Sequence, residues 1–459
     1  MVDPSPDGDK DQTSGARYGA GRGGRLQRGR RGAMMRRSLP AKPGRRERTM
    51  PDVLHLALVL AGILVLLRLR VPLSLTLMAS GAGLGLLYRL PAAVWAEVLG
   101  RALGSFENLK LVIALEGVLL FSAVMKETGA MRAAIAALRR LCGDVRLLLA
   151  ALPALVGLLP VVGGAMLSAP LVDEASGEME LRPERRTFLN YWFRHVWEYS
   201  LPTFPAVFLT ASITQVGVPD LVLAGLPLTA VAIAAGALAG FRGIAPGAGG
   251  ASASPGAGAG RELLGVLRNL LPFVLVVAAT AVFEIHLAWS ILAGTALAAL
   301  PRRLPGKRWP GLLRGHLSMD LALLIWGIML FKETLQASGA MPRIAEGLSA
   351  RGVPPLLLAF LLPATIAFLT GYTTAFVGLS FPVLVPFFPD GALRAWYVMF
   401  ALAGGISAHM LSPMHACLAM TLQYYHAPPG AAYRLLLLPV LAVLLAAAAQ
   451  LALVGWLLG

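Results

Sequence analysis

The chain has 459 residues, of which 57% are hydrophobic and only 14% charged, where soluble domains carry about a quarter charged. Apolar stretches of about 18 or more residues recur along its length, the mark of transmembrane helices. This excludes a soluble globular domain, while the formal charge of +16 informs only through where it falls.

Residues 1–49 hold thirteen Lys or Arg against five acids, with few large apolar side chains. They read as a disordered basic tail, solvated rather than bound to nucleic acid. No signal peptide is evident, and Met34, Met35 and Met50 leave a downstream start open. Spans are expected at about 52–70, 71–90, 109–126, 187–214, 219–241, 262–284, 285–300, 319–336, 393–421 and 432–458. "GAGLG" at 81–85 reads as a close helix contact. Two further apolar segments, 146–172 and 353–388, are interrupted near their middles by Pro, Gly or Thr and read as re-entrant hairpins. A Gly/Ala-rich stretch at 243–260 is a flexible linker between a first membrane repeat, 50–242, and a second, 261–459.

The halves repeat. "GVLLFSAVMKETGAM" (117–131) lies over "GIMLFKETLQASGAM" (327–341), and "LPA" at 152–154 falls on "LPA" at 362–364 with the same offset. Slightly later Ser168 and Pro170 fall on Ser380 and Pro382, and Pro202 on Pro413. Each half then makes five crossings plus one hairpin, and the odd count inverts the second half relative to the first. The expected fold is an all-α polytopic membrane protein of about ten transmembrane helices with two inverted five-helix repeats, the build of secondary transporters. Loop charges, seventeen Lys or Arg on one set against seven on the other, place the first set in the cytoplasm; the basic tail argues for the reverse.

Irregular backbone at membrane depth survives only when buried in protein or lining a wet cavity. "LTGYTTAF" at 369–376 therefore reads as a hairpin tip, with Gly371 turning and Thr370, Tyr372, Thr373, Thr374 and the later Ser380 supplying hydroxyls. The matching tip holds Pro160, Gly163, Gly164 and Ser168. Half-helix N-termini at such tips attract anions, and unwound carbonyls attract Na⁺. The competing reading is a pair of kinked helices whose Ser and Thr bond back to their own turns.

"NYWFRHVWEYSLPTFP" (190–205) places Asn190, Arg194 and Glu198 on one stripe and His195 within pairing distance of Glu198, before Pro202 and Pro205 break the helix. Arg194 is read as a headgroup-level anchor and Glu198 as a proton carrier or cation ligand. The equivalent segment, "GGISAHMLSPMHACLAM" (404–420), carries Ser407, His409, Ser412 and His415 around Pro413. Histidines there can titrate near neutral pH. Glu116 is a further buried coupling candidate. Cys142 and Cys417 are too few for a disulfide framework, no CxxC is present, and both read as ordinary buried residues with no metal site expected. No HExxH, P-loop or GxSxG is present, so no enzyme is expected.

"LPVVGGAMLSAPLVDEA", "NYWFRHVWEY" and "TAFVGLSFPVL" resemble a prokaryotic integral-membrane family designated domain of unknown function 401. That family is similar to the ion transporter superfamily of citrate, gluconate, dicarboxylate, lactate and arsenite carriers. The resemblance covers roughly 52–458. It implies substrate and cation sites at the two hairpin tips and the helix breaks near 200–205 and 412–415, elevator motion and a homodimer. The tips here lack the Ser-Asn-Thr signature of the dicarboxylate carriers. The expectation is a cation-coupled (H⁺ or Na⁺) secondary transporter of a small solute, an organic anion such as a carboxylate, in a bacterial or archaeal inner membrane, with no cofactor beyond the coupling ion. An ion channel or exchanger, or an intramembrane enzyme, remains the alternative.

Overall fold

The computed structural model describes residues 49–159, 164–177, 179–245 and 259–458. The basic tail up to 48, most of the 243–260 linker, and Pro160 and Gly163 lie outside the described residues. Among the described residues all regular structure is helical. The first half runs α1 (Thr49–Arg68), α2 (Leu73–Leu87), α3 (Ala92–Gly104), α4 (Phe106–Glu127), α5 (Ala130–Leu141), α6 (Val145–Gly157) and α7 (Gly164–Ser176). It continues with α8 (Pro183–His195), a 3-10 turn (Val196–Tyr199), α9 (Pro205–Thr214) and α10 (Val218–Gly240). The second half comprises α11 (Ala259–Ala281), α12 (Leu287–Ala299), α13 (Trp309–His316), α14 (Met319–Ala337) and α15 (Ala340–Ser349). It ends with α16 (Pro355–Thr370), α17 (Thr373–Leu384), α18 (Arg394–Met410), α19 (Ala416–Tyr425) and α20 (Pro429–Leu458).

Local sequence explains many of these boundaries. Prolines open α8, α9 and α16, where the missing N–H would be unpaired anyway. Gly129 and Gly339, the matched glycines of the two "GAM" triplets, both adopt left-handed φ (73° and 62°) and open α5 and α15. Non-glycine residues with positive φ also fall in matching places: Arg70 and Glu284, Arg89 and Arg303, and Gln215 and His426, which cap the C-termini of α9 and α19.

Four helical stretches are long and apolar enough to cross a membrane unaided: Ala92–Glu127, Val218–Gly240, Ala259–Ala281 and Pro429–Leu458. A fifth is added if Gly306–His316 and Met319–Ala337, bent by 48°, count as one span. The short helices α3, α5, α13 and α15 differ from the sequence expectation of spans and loops. In α5 the arginines mask the pattern, and Ala130, Ala134 and Ala137 form its buried side.

Helix pairing between the halves is reciprocal. α2 of the first half packs along α14 of the second, and α12 of the second packs along α4 of the first. Small residues permit it: a Cβ on Gly81 would lie 3.1 Å from the Phe331 nitrogen, and one on Gly327 would lie 3.1 Å from the Ser74 carbonyl oxygen. This confirms the reading of "GAGLG" as a packing site. Asp52 on α1 ties to α15 through Arg343 Nε and Nη2 at 2.7 and 3.1 Å. In the same way α6 packs on α7 and α8, while α16 packs on α17 and α18. The helices thus pair within two groups, α1–α5 with α11–α15 and α6–α10 with α16–α20, and the pairings between groups are sparser.

Candidate functional site

The second hairpin turns in two residues. Gly371 caps α16 with φ 64° and its N–H bonds Ala367 at 2.8 Å, and α17 starts at Thr373. A Cβ on Gly371 would lie 2.5 Å from the Met414 carbonyl carbon and 2.7 Å from the His415 nitrogen. The tip therefore rests on the broken segment between α18 and α19. Ser412 secures the same junction, its hydroxyl donating to the Phe368 carbonyl of α16 at 2.6 Å and accepting from Met414 N at 3.1 Å. The first hairpin makes the corresponding approach to the α8 end. A Cβ on Gly157 would collide with the Arg194 carbonyl oxygen, and one on Gly164 with its guanidinium.

Several expected tip hydroxyls turn inward to their own helices. Thr370 bonds Ile366 O at 2.7 Å, Ser168 bonds Gly164 O at 3.3 Å and Ser380 bonds Phe376 O at 2.5 Å. Tyr372 is exposed and Thr373 half-buried, whereas Thr374 is buried with no hydrogen-bond partner for Oγ1 among the described residues.

Side chains from both broken helices meet. Tyr191 Oη donates to the Met410 carbonyl at 3.0 Å and lies 2.7 Å from His415 Nδ1. His195 Nδ1 lies 2.6 Å from the Tyr191 carbonyl. Arg194 Nη1 donates to His195 Nε2 at 3.3 Å and to Cys417 Sγ at 3.5 Å. His409 and His415 stack with centroids 3.8 Å apart, and His195 and His415 lie 5.0 Å apart. Asn190 Nδ2 donates to Ala165 O at 3.0 Å and to Thr421 Oγ1 at 3.5 Å, joining α8 to α7 and α19. Glu198 Oε1 lies 3.9 Å from His195 Nε2.

Three expectations change. Glu198 is not on the α8 stripe with Asn190 and Arg194, because α8 ends at His195 and Glu198 sits in the following 3-10 turn. Arg194 is no headgroup anchor: it is only 6% exposed, packed under both hairpin glycines. Cys417 is only partly buried and accepts from Arg194. Glu116 belongs to another set of contacts, its two carboxylate oxygens each accepting from Ser318 N at 3.1 Å, ahead of α14. Tyr191, the hub of the cluster, escaped the sequence reading; its i, i+4 spacing to His195 was the available signal.

Over residues 52–454 the chain matches the family described as protein of unknown function (DUF401). The chain belongs to that family. Comparison with curated proteins gives no match. In this DUF401 chain the buried polar groups gather where two helix breaks meet two hairpins, an arrangement able to hold an ion or small polar solute within an apolar surround.

Proposed function

We propose that this DUF401 protein is a cation-coupled secondary transporter of a small organic anion such as a carboxylate, working by an elevator-type movement. The observation that carries this is the pairing of each hairpin with a helix break: Gly371 against Met414 and His415, and Gly157 and Gly164 against Arg194. Broken helices expose N-terminal N–H groups to anions and unwound carbonyls to cations. The matched positive-φ residues and reciprocal helix pairing support two inverted repeats, with ten crossings made by joining the short helices into spans. The sparser contact between the two helix groups supports one group moving against the other. In this reading the protein sits in a prokaryotic inner membrane as a homodimer, with Glu198 and the histidines coupling H⁺ or Na⁺ entry to the solute.

Thermal unfolding of the detergent-purified full chain tests it, with mono-, di- and tricarboxylates, inorganic oxyanions and amino acids, with and without Na⁺, at mildly acidic and neutral pH. A ligand of the native state stabilises it by RT ln(1 + [L]/Kd). One anion class should give saturable stabilisation that needs Na⁺ or low pH. A flat response to every anion, together with ion flux in proteoliposomes that ignores solute, would replace the carrier with a channel.

A further inference from the structure

We propose that His195, His415 and Cys417, with Glu198 as a fourth ligand, form a binding site for a zinc-class divalent metal ion, which enters in exchange for the Arg194 guanidinium. This goes beyond the transport reading and stands or falls whether or not a solute is carried.

Geometry comes first. The three ligand atoms of His195, His415 and Cys417 lie within 4.8 Å of one another. Tetrahedral zinc, with Zn–N of about 2.0–2.1 Å and Zn–S of about 2.3 Å, sets its ligands about 3.5 Å apart. These three atoms therefore close on a metal by a contraction of about 1.3 Å at most, and the Glu198 carboxylate, outside that group, turns in to complete it.

Proton placement prepares both rings. The Met410 carbonyl, 3.0 Å from Tyr191 Oη, can only accept, so in the tautomer the site needs the single hydroxyl proton goes there. The phenol oxygen then accepts from His415 Nδ1, 2.7 Å away, which puts the His415 proton on Nδ1 and leaves Nε2 as a lone pair. His195 Nδ1 faces the Tyr191 carbonyl at 2.6 Å, which only an N–H can satisfy, so its Nε2 is also a lone pair. One residue thus orients two imidazoles through their second nitrogens, as metal-ligating histidines require. His195 also closes the C-terminal end of α8, the negative end of a helix dipole.

Charge completes the case. The guanidinium already donates to two of the proposed ligand atoms, His195 Nε2 and Cys417 Sγ, so a cation is already held at this point. Glu198 Oε1 is 3.9 Å from His195 Nε2, and its buried Oε2 has no hydrogen-bond partner among the described residues. A divalent ion bound by one carboxylate and one thiolate is neutral overall. Binding releases the Cys417 thiol proton to solvent and turns the guanidinium away. Gly164 lies against that guanidinium, so metal entry acts directly on the first hairpin. Thiolate and imidazole select zinc or its neighbours over Na⁺, Mg²⁺ or Ca²⁺.

The test is Co²⁺ titration of the full-length protein in detergent after chelation, read by absorbance. Wild type should show one equivalent of tetrahedral cobalt with a thiolate-to-cobalt charge-transfer band, removed by Zn²⁺ and untouched by Mg²⁺. Cys417→Ser should lose the band, while Cys142→Ser keeps it. Tyr191→Phe, which preserves the packing, should weaken binding about 10–100-fold. Arg194→Gln should bind more tightly than wild type, because the competing cation is gone. No charge-transfer band in folded wild type, or a band that survives Cys417→Ser, overturns the site; weaker binding by folded Arg194→Gln overturns the exchange. Solute-linked stabilisation is measured on the same samples, so failure of the transport reading registers separately.

Discussion

Gly371→Ala places one methyl group where the second hairpin touches the α18–α19 break. At φ 64° an L-residue costs about 1–2 kcal/mol relative to glycine. The methyl carbon would also stand 2.5 Å from the Met414 carbonyl carbon and 2.7 Å from the His415 nitrogen. Both are backbone atoms that no rotamer change can move, and such overpacking adds about 1–3 kcal/mol. The expected loss is therefore about 2–5 kcal/mol. Gly129→Ala is the control. Its φ is 73°, and the nearest atom is the mobile Arg132 Nη2 at 3.8 Å, so only the backbone cost of about 1–2 kcal/mol applies. Denaturant unfolding of both variants in the same detergent isolates the contact between tip and break. Equal losses in the two variants would refute the claim that the tip bears on the break.

Two further predictions concern groups away from the cluster. Asp144 caps α6, and the hydrogen-bonded Arg146 holds its carboxyl below the usual carboxylate range. A depressed folded pKa gives stability that is present above the unfolded value of about 3.9 and is lost as pH falls through the folded value. Wild type should therefore exceed Asp144→Asn by about 0.5–1 kcal/mol at neutral pH, with the difference beginning to shrink only near pH ~4 and disappearing below the depressed folded value; a constant gap across pH would contradict this. Glu116 acts through Ser318, so Glu116→Gln keeps an acceptor and should retain any solute-linked stabilisation, whereas Glu116→Ala should cost about 1 kcal/mol. Loss of the solute response in Glu116→Gln alone would return it to the coupling residues.

The helix boundaries at these segments were legible because proline and glycine act on the backbone locally. Pro205 and Pro355 open helices, Gly371 turns between α16 and α17, and Gly129 and Gly339 both adopt left-handed φ at a helix start. The cluster was less legible because its members lie more than 200 positions apart and meet only through packing. Arg194 looked like an anchor because hydropathy places it near a span end; Gly157 of α6 packs on its backbone and Gly164 of α7 on its guanidinium. Cys417 looked inert because only His415 among possible ligands lies near it in sequence, while Arg194, its partner in space, belongs to the other half. The hydroxyls of Thr370, Ser168 and Ser380 donate to the preceding turn of their own helices, which leaves only their oxygen lone pairs for a ligand.

Pro202 and Pro413, which the sequence offset pairs, each follow a helix break, and counting back four residues from each reaches Glu198, in a 3-10 turn, and His409, in the last turn of α18. One break thus carries an acid where the other carries a base. His195 and His415 lie between them: Glu198 to His195 at 3.9 Å, His195 to His415 at 5.0 Å between centroids, His415 to His409 at 3.8 Å. Arg194, Tyr191 and Cys417 flank this file. Two acids at these points would repel when both were charged and buried; an acid and a base with imidazoles between them can instead pass one proton along the file once the rings turn from stacking into hydrogen-bonding contact. His415→Phe keeps a ring in the stack and removes the middle carrier. If the coupling ion is H⁺, this variant should remain folded, keep solute-linked stabilisation and lose its pH dependence. PH dependence that persists in His415→Phe would show that the proton takes another route.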